Sequence, residues 1–235
     1  MRLLLISNST NSGEPFLQHA LPEIHNFAGN RPGNILFIPY AAVTIGYDEF
    51  TSKVNEKLKT INYSVIPVHL SNNPPEAVKN AEVIVVGGGN TFRLLQLLQK
   101  NKILKTIKQK VMAGTPYIGW SAGANVACPT ICTTNDMPVI QPDDFNALHL
   151  VPFQINPHYL DSNPAGHAGE TREARINEFV ELNPDVWVVG LREGTMLHIE
   201  NRSVRFIGDK TAKIFKKGLM PLELGKNDDF RFLIR

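Results

Sequence analysis

Short apolar runs alternate with longer amphipathic segments along the first half of the chain. The apolar runs are nearly continuous, which is typical of strands covered on both faces. We predict strands at residues 3–7, 35–39, 64–69, 83–86 and 117–120. Helical periodicity predicts helices at residues 16–27, 47–58, 92–99 and 103–112. This alternation predicts an α/β fold with a mostly parallel central sheet flanked by helices on both faces.

The second half of the chain has a different pattern. We predict strands at residues 148–155 and 186–191, and a helix at residues 170–182 between them. Residues 195–200 and 204–207 flank a polar turn and predict a β-hairpin at the C-terminal edge of the fold. Residues 212–215 and 222–224 are expected to complete that edge. Since no repeat or linker interrupts the pattern, we expect residues 1–235 to form a single domain.

Composition excludes several classes of protein. Hydrophobic residues make up 43% and charged residues 20% of the chain, and the formal net charge is +2. The basic residues form no stripe with interleaved aromatics, so nucleic acid is not an expected partner. No apolar run reaches the roughly 20 residues needed to span a bilayer, and the apolar core at the N-terminus is too short for a signal peptide. We expect a cytosolic protein in which Cys128 and Cys132 are free thiols.

The segment Gly119-Trp120-Ser121-Ala122-Gly123 matches the pattern G-x-S-x-G. A serine on a tight strand-to-helix turn is strained and crowded, and flanking glycines relieve the crowding while its hydroxyl stays exposed. A predicted strand precedes this segment and small residues suited to a tightly packed helix follow it. An ordinary glycine-rich turn is the alternative interpretation. We favour a nucleophile elbow with Ser121 as the nucleophile.

A nucleophilic serine also needs donors for the negative charge that develops on the substrate oxygen. The backbone N–H of Ala122 is one candidate. A second lies in Gly87-Gly88-Gly89-Asn90-Thr91, a turn that follows a predicted strand and opens a predicted helix. A phosphate-binding loop is the rival interpretation, but the spacing fits neither G-x-G-x-x-G nor the Walker motif.

The serine needs a base, and the chain has seven histidines. His19 and His25 are expected at the surface, and three others lie in or beside predicted strands: His69, His149 and His198. His158 and His167 lie in predicted loops. We favour His158 because it directly follows a predicted strand and should emerge at the edge of the sheet.

The base in turn needs a carboxylate that fixes its tautomer. Glu193 follows the predicted strand 186–191, and Asp136 lies in a loop soon after the elbow. Either residue could instead serve only as a turn or surface residue. The order serine, histidine, acid differs from that of the usual α/β hydrolases and implies a different α/β lineage.

Several segments together resemble the peptidase E family of aspartyl dipeptidases, which is related to the class I glutamine amidotransferases. The segments are L-L-L-I-S-N-S-T, I-V-V-G-G-G-N-T-F, Y-I-G-W-S-A-G-A-N, T-T-N-D-M-P, Q-I-N-P-H and G-E-T-R-E-A-R. The resemblance implies a class I glutamine amidotransferase-like, flavodoxin-like fold. It also implies hydrolysis of small peptides with an N-terminal aspartate, without a metal or other cofactor.

The resemblance also assigns roles to individual residues. Ser121 matches the nucleophile of the family and His158 its base, while Gly88 and Ala122 match the oxyanion positions. Glu193 matches the acid of the structural triad, and Asp136 matches an aspartate also given a charge-relay role. We rank Glu193 first because it follows a strand.

Selection of a substrate carboxylate favours a guanidinium, which binds carboxylates in bidentate fashion. Arg172 is therefore our first candidate for substrate binding, although an arginine in the first turn of a helix could equally form a surface ion pair. Asn90 is the second candidate.

Two other functions remain open. One is a cyanophycinase-like β-aspartyl peptidase, and the other is a catalytically silent binding protein with the same fold. We expect a monomer or a small homo-oligomer.

Overall fold

The computed structural model describes residues 1–29, 33–163, 166 and 168–234. The strands are β1 (Arg2–Ile6), β2 (Gly33–Ile38), β3 (Tyr63–Pro67), β4 (Val83–Val86), β5 (Tyr117–Trp120), β6 (Gln154–Tyr159), β7 (Val188–Arg192), β8 (Met196–Glu200), β9 (Ser203–Ile207), β10 (Ala212–Phe215) and β11 (Leu222–Leu224). The α-helices are α1 (Leu21–Ala28), α2 (Tyr47–Lys59), α3 (Pro74–Lys79), α4 (Thr91–Lys100), α5 (Leu104–Met112), α6 (Ala122–Asn125) and α7 (Arg172–Leu182).

The central sheet has seven strands in the order β3-β2-β4-β5-β1-β8-β9. The first five of these pair in parallel, and β8 and β9 form an antiparallel hairpin against β1. The predicted mostly parallel sheet with a hairpin edge is therefore confirmed. Since β4, β5 and β1 are adjacent and parallel, the residues that follow them meet at one edge of the sheet, which is where ligands bind in open α/β folds.

Alternate residues of each central strand pack on opposite faces of this sheet, as the period of two requires. In β1, Leu3 and Leu5 face one apolar core, and Leu4 and Ile6 face the other. Helices α1 and α2 cover the second face. Helices α3 to α6 and a second sheet cover the first face. Both faces are thus closed to water, which explains the nearly continuous apolar runs in the sequence.

The second sheet has four strands in the order β11-β10-β7-β6. Strands β6 and β7 are parallel, and β10 pairs antiparallel with both β7 and β11. The expectation that residues 212–215 and 222–224 complete the hairpin edge was therefore wrong. Strand β10 pairs with β7, which lies earlier in the chain, and β11 pairs with β10. A pairing of this kind depends on tertiary contacts, so local periodicity does not reveal it.

The predicted strand at residues 148–155 was also placed wrongly. Leu148, Leu150 and Phe153 are buried, but their segment is irregular and the strand begins at Gln154. The backbone N–H groups of Leu148 and Leu150 donate to carbonyls in the turn after α6, at Val126 and Ala127. Loop-to-loop hydrogen bonds therefore satisfy an apolar segment that has the composition of a strand.

The first helix is shorter than predicted. Residues 16–20 form turns in which Leu17 has a φ of 57°, and regular α-helix begins at Leu21. Helix α3 was not predicted; Asn73 caps it by accepting a hydrogen bond from the N–H of Glu76. Within the ranges given above, no helix is long and apolar enough to cross a membrane.

Candidate active site

Ser121 lies on the sharp turn between β5 and α6, with φ 52° and ψ −113°. The two flanking glycines are required by close backbone contacts. A Cβ at Gly119 would lie 2.3 Å from the carbonyl oxygen of Gly123, and a Cβ at Gly123 would lie 2.2 Å from that of Val86. Real Cβ atoms do not approach oxygen so closely. The segment therefore has the strand–turn–helix geometry that a nucleophile elbow requires.

Three side chains from separate segments meet at this turn. The Oγ of Ser121 is 2.9 Å from Nε2 of His158. The Nδ1 of the same ring is 2.7 Å from Oε1 of Glu193. The His158 and Glu193 side chains are 38% and 42% exposed, so both can reach a ligand in solution while they remain oriented by protein contacts. This is the spatial order of a nucleophile, a general base and an orienting acid.

The sequence predicted that His158 follows a strand. In the structure it lies inside β6. The β6–β7 ladder pairs Pro157 with Leu191 and Tyr159 with Arg192, so His158 is an extra residue at a β-bulge. Its φ is 53°. A bulge redirects a side chain out of the ladder, and here it turns the imidazole toward Ser121.

Asp136 occupies a different place. Its Oδ2 accepts hydrogen bonds from the backbone N–H of Thr91 at 2.7 Å and from the Thr91 hydroxyl at 2.5 Å. The hydroxyl of Thr134 is a third partner, at 3.1 Å. The carboxylate thus caps the N-terminus of α4, where negative charge is favourable. The geometry brings Glu193 and not Asp136 against His158, a choice that the sequence left open.

Gly88 and Ala122 present backbone N–H groups beside Ser121. A Cβ at Gly88 would lie 3.0 Å from Cβ of Ser121 and 2.9 Å from the Trp120 ring, so the glycine turn touches the elbow. Among the described residues, neither N–H donates to a carbonyl or a side chain. Two unpaired N–H groups at the nucleophile are suited to an oxyanion.

A cavity of about 620 Å³ opens in front of Ser121 and His158. The described residues that line it include no aspartate or glutamate, and Lys53 is their only lysine or arginine. The Nζ of Lys53 lies 4.5 Å from the ring centroid of Phe16, which in turn packs edge-on against Trp120. Lys53 and Phe16 were not among the predicted site residues. Helical periodicity indicates only that Lys53 is on a polar face, and gives no sign that this face borders the elbow.

The predicted substrate-binding residues have different settings. Asn90 lines the cavity and caps α4, accepting from the N–H of Arg93 and donating to the carbonyl of Met137. Arg172 does not line the cavity. Burial lowers the pKa of Arg172, nearby Arg175 lowers it further, and Asp136 acts in the opposite direction. Within the described part of the chain, the Arg172 guanidinium makes no hydrogen bond or ion pair.

Two of the other histidines have hydrogen-bond partners outside the proposed triad. His69 pairs with Asp48, and His198 contacts Arg205. His19, which was expected at the surface, is only partly exposed: both of its ring nitrogens are buried, and burial lowers its pKa. His167, the alternative base in the sequence analysis, lies outside the described residues.

The sequence model described as Peptidase family S51 matches residues 3–207. The chain belongs to this family. Among S51 relatives, a peptidase E of Nostoc sp. is 54% identical over 233 residues, covering 99% of this chain and 96% of the relative. A peptidase E of Salmonella typhimurium is 47% identical over 218 residues, covering 93% of this chain and 95% of the relative. The resemblance to the peptidase E family is confirmed.

Solved structures agree with the S51 fold. A crystal structure named for a peptidase E protein of Listeria monocytogenes has a TM-score of 0.67 at 22% identity, covering 89% of this chain and 98% of that one. A peptidase from an acI-B1 actinobacterium has a TM-score of 0.70 at 18% identity, with coverage of 97% and 96%. At these identities the likeness concerns the fold alone.

Proposed function

We propose that this S51 chain is a serine peptidase that hydrolyses dipeptides with an N-terminal aspartate, using Ser121, His158 and Glu193. The continuous contact from Ser121 Oγ through the His158 ring to Glu193 carries the proposal. A serine hydroxyl is a poor nucleophile until a base takes its proton, and the imidazole is within hydrogen-bond reach to do so. Peptidase E is the name of both the Nostoc and the Salmonella relatives.

The reaction follows from these contacts. Ser121 Oγ forms a bond to the carbonyl carbon of the aspartyl residue while its proton passes to His158 Nε2. The N–H groups of Gly88 and Ala122 donate to the resulting oxyanion. His158 returns the proton to the amide nitrogen as the C–N bond breaks, and the second amino acid leaves. Water, deprotonated by His158, then hydrolyses the ester and restores the serine.

Glu193 accepts the Nδ1 proton of His158 and so keeps Nε2 free to act as the base. It also stabilises the imidazolium that forms when Nε2 takes the serine proton. Asp136 acts through the N-terminus of α4, and we assign it no role in proton transfer.

Two cations are candidates for the substrate carboxylates. An aspartyl dipeptide carries one carboxylate on its side chain and one at its C-terminus. Lys53 lies in a cavity whose described lining has no acidic residue, so an anionic ligand is favoured there. Arg172 remains our candidate for the aspartyl side chain, because it is half-buried and no described residue occupies its guanidinium. Asn90, which also lines the cavity, would contact the substrate there.

A dipeptide panel tests the proposal. Wild type and Ser121→Ala are compared on Asp-Leu, Glu-Leu, Asn-Leu, Ala-Leu and the β-aspartyl isomer of Asp-Leu. We expect hydrolysis of Asp-Leu by wild type alone. Preference for the β-aspartyl isomer would favour the cyanophycinase-like alternative. Failure of a fluorophosphonate to label Ser121, together with no turnover, would favour a silent binding protein.

Separate variants test whether Arg172 and Lys53 bind the carboxylates of the substrate. Arg172→Met should reduce the preference for Asp-Leu over Ala-Leu by at least about tenfold, since a charge-assisted bidentate contact is lost. Arg175→Met changes charge identically on the same helix, where Arg175 is exposed and faces Glu170, and should leave that preference unchanged. Lys53→Met should act on KM more than on kcat. An unaltered Asp-Leu preference in Arg172→Met would remove Arg172 from the model of binding.

A further inference from the structure

The three residues of the proposed triad come from two different sheets. Ser121 follows β5 of the seven-stranded sheet, whereas His158 and Glu193 belong to β6 and the end of β7 in the four-stranded sheet. Among the described strands, none of one sheet is paired with a strand of the other. Backbone ladders therefore do not fix the distance between the nucleophile and its base. Another set of contacts has to do so.

The hydroxyl of Ser7 provides a contact between the two sheets. Ser7 follows β1 directly and is fully buried. Its Oγ accepts a hydrogen bond from the backbone N–H of His158 at 3.0 Å and donates one to the carbonyl of Leu191 at 2.7 Å. These partners lie on β6 and β7, at the bulge and opposite it. One hydroxyl therefore ties the bulge that carries the base to the strand that precedes the acid.

The residues on either side of Ser7 bind the other two segments. The carbonyl of Ile6 accepts from the backbone N–H of Ser121 at 3.0 Å. The side-chain Oδ1 of Asn8 accepts from the N–H of Gly194 at 2.7 Å, directly after Glu193. Three consecutive residues thus each hold the backbone of one triad segment.

The Asn8 side chain is itself held in place. It is 1% exposed, and its Nδ2 donates to the carbonyl of Thr10 at 2.9 Å and to Oδ1 of Asn11 at 2.8 Å. The orientation of Oδ1 toward Gly194 is therefore fixed by both donors of the same amide. An acceptor fixed in this way can in turn fix the chain that it binds.

The bulge makes the Ser7 contact important for His158. A residue at a bulge is left out of the ladder, so the His158 N–H has no partner on β7. With a φ of 53°, His158 also holds a conformation that L-residues seldom adopt without support. The Ser7 hydroxyl is the acceptor for that N–H. Removal of the hydroxyl leaves the N–H without its partner and allows the bulge to relax.

We propose that Ile6–Asn8 is the junction that aligns the triad, and that Ser7 is a positioning residue acting through His158. The proposal rests on the proposed function, because it assigns Ser7 an effect on proton transfer. Ser7 itself touches no reacting atom. Its effect is expected on kcat and not on KM, since the cavity walls that bind substrate do not include it.

The test uses a matched pair of variants, Ser7→Thr and Ser7→Val, with Ser7→Ala beside them. Threonine and valine add nearly the same volume, but only threonine keeps the hydroxyl. A loss of packing would lower both activities alike. We expect Ser7→Val and Ser7→Ala to lower kcat for Asp-Leu by about 10²-fold, which is the cost of a misplacement of about 1 Å, and Ser7→Thr to retain at least tenfold more activity than Ser7→Val. Equal kcat values for the threonine and valine variants would overturn the proposal.

A double-mutant cycle separates positioning from general damage. In a His158→Ala background the base is already absent, so Ser7→Ala should lower the residual kcat by less than about twofold. A further loss of 10²-fold there would show that Ser7 does not act through His158. The low-field proton resonance of the His158 ring, assigned by its loss in His158→Ala, should shift or broaden in Ser7→Val and persist in Ser7→Thr.

A second variant of the junction and a control variant outside it complete the test. If the Ser7 variants do not fold, Asn8→Ala tests the same junction through Gly194 and should lower kcat; KM should change as well, because the Asn8 side chain also holds Thr10, which lines the cavity. Unchanged kcat would overturn the proposal. Thr51→Val removes a buried hydroxyl from α2, whose one partner in the described part of the chain is the carbonyl of Tyr47, and should keep wild-type kcat. If wild type shows no Ser121-dependent hydrolysis of Asp-Leu, the proposed function fails. If it does and all Ser7 variants match it, only the junction fails.

Discussion

The side chains of Ser121 and His158 meet at 2.9 Å, and both residues hold a positive φ, 52° and 53° respectively. A sharp turn imposes this conformation on Ser121, and a β-bulge imposes it on His158. Such backbone strain persists only where the surrounding structure determines it, and it concentrates at functional sites. The contact between nucleophile and base is thus obtained at the expense of local backbone stability on both sides.

Because Ser121 is strained, we expect its glycine variant to be more stable than its alanine variant, the reverse of the usual order of stability. Both Ser121→Ala and Ser121→Gly lack the hydroxyl and should be inactive. At an ordinary position glycine is the less stable residue, because it gains entropy in the unfolded chain. At φ 52° and ψ −113° alanine is strained and glycine is not, so we expect Ser121→Gly to be more stable by about 1 kcal/mol. Urea unfolding of the two variants measures the difference, and a more stable alanine variant would contradict a strained elbow.

The different settings of Glu193 and Asp136 predict different defects. Glu193→Gln should lower kcat by about 10²- to 10⁴-fold with little change in stability, because the amide no longer fixes the His158 tautomer. Asp136→Ala should lower stability by about 1 kcal/mol, the usual cost of replacing a helix-capping side chain by alanine, with a much smaller effect on kcat. Steady-state kinetics and thermal unfolding of both variants test this. If kcat fell further in the Asp136 variant than in the Glu193 variant, Asp136 would be the acid that supports His158.

The sequence predicts the central sheet well because its signals there are local. Strands β4 and β5 have the predicted bounds, since continuous apolar runs end in glycine-rich turns. The sharp turn at Ser121 is predictable for the same reason: strand, glycine and helix follow one another within a few residues.

The contacts that connect distant segments are not predictable in this way. Ser7 contacts residues 151 and 184 positions away, and nothing in its neighbourhood indicates either partner. His158 was found as a residue, but its place in a bulge was not, because residues 148–153 have the composition of a strand and form a loop. The choice between Glu193 and Asp136 likewise depends on which segments become neighbours after folding.

The two cysteines should differ in reactivity. Cys128 is fully buried, and burial raises the pKa of its thiol well above the ordinary value, so little thiolate forms near neutral pH. Cys132 is exposed. We expect a disulfide-exchange reagent to titrate one thiol per native chain and two after unfolding.

Modification of Cys132 should also leave hydrolysis of Asp-Leu intact, since neither cysteine lines the cavity in front of Ser121. A Cys132→Ser variant is the control for any partial effect of the bulky adduct. Complete inactivation by the thiol reagent, prevented in Cys132→Ser, would contradict a serine-based site that is independent of both thiols.

Arg192, next to Glu193, should make stability depend on pH in the acid range. Its guanidinium forms ion pairs with Asp161 and with Glu223, the latter at 2.8 Å, and it also donates to the carbonyl of Thr211. The hydrogen bonds from Arg192 hold the pKa of each carboxyl below its ordinary value, 3.8 for Asp161 and 4.5 for Glu223. A carboxyl with a lowered folded-state pKa stabilises the fold above its unfolded pKa, and this contribution is lost as the pH falls through the folded value. The contribution should therefore be complete near neutral pH and decline below about pH 4.5.

The carboxylates are 57% and 46% exposed, so solvent screening limits each pair to less than about 1 kcal/mol. Arg192→Met should remove this contribution to stability. Between pH 5 and 3 the Tm of the variant should therefore fall less steeply than that of wild type, because its unfolding takes up fewer protons, by at most about one. Arg231→Met is a matched control, because among the described residues the Arg231 guanidinium pairs with its near neighbour Asp229 alone, and this surface pair connects no two strands. Wild type and Arg231→Met should share one acid slope. A slope in Arg192→Met equal to theirs would show that the carboxylates near β7 gain no stability from Arg192, and that another group is responsible for any acid sensitivity of the fold.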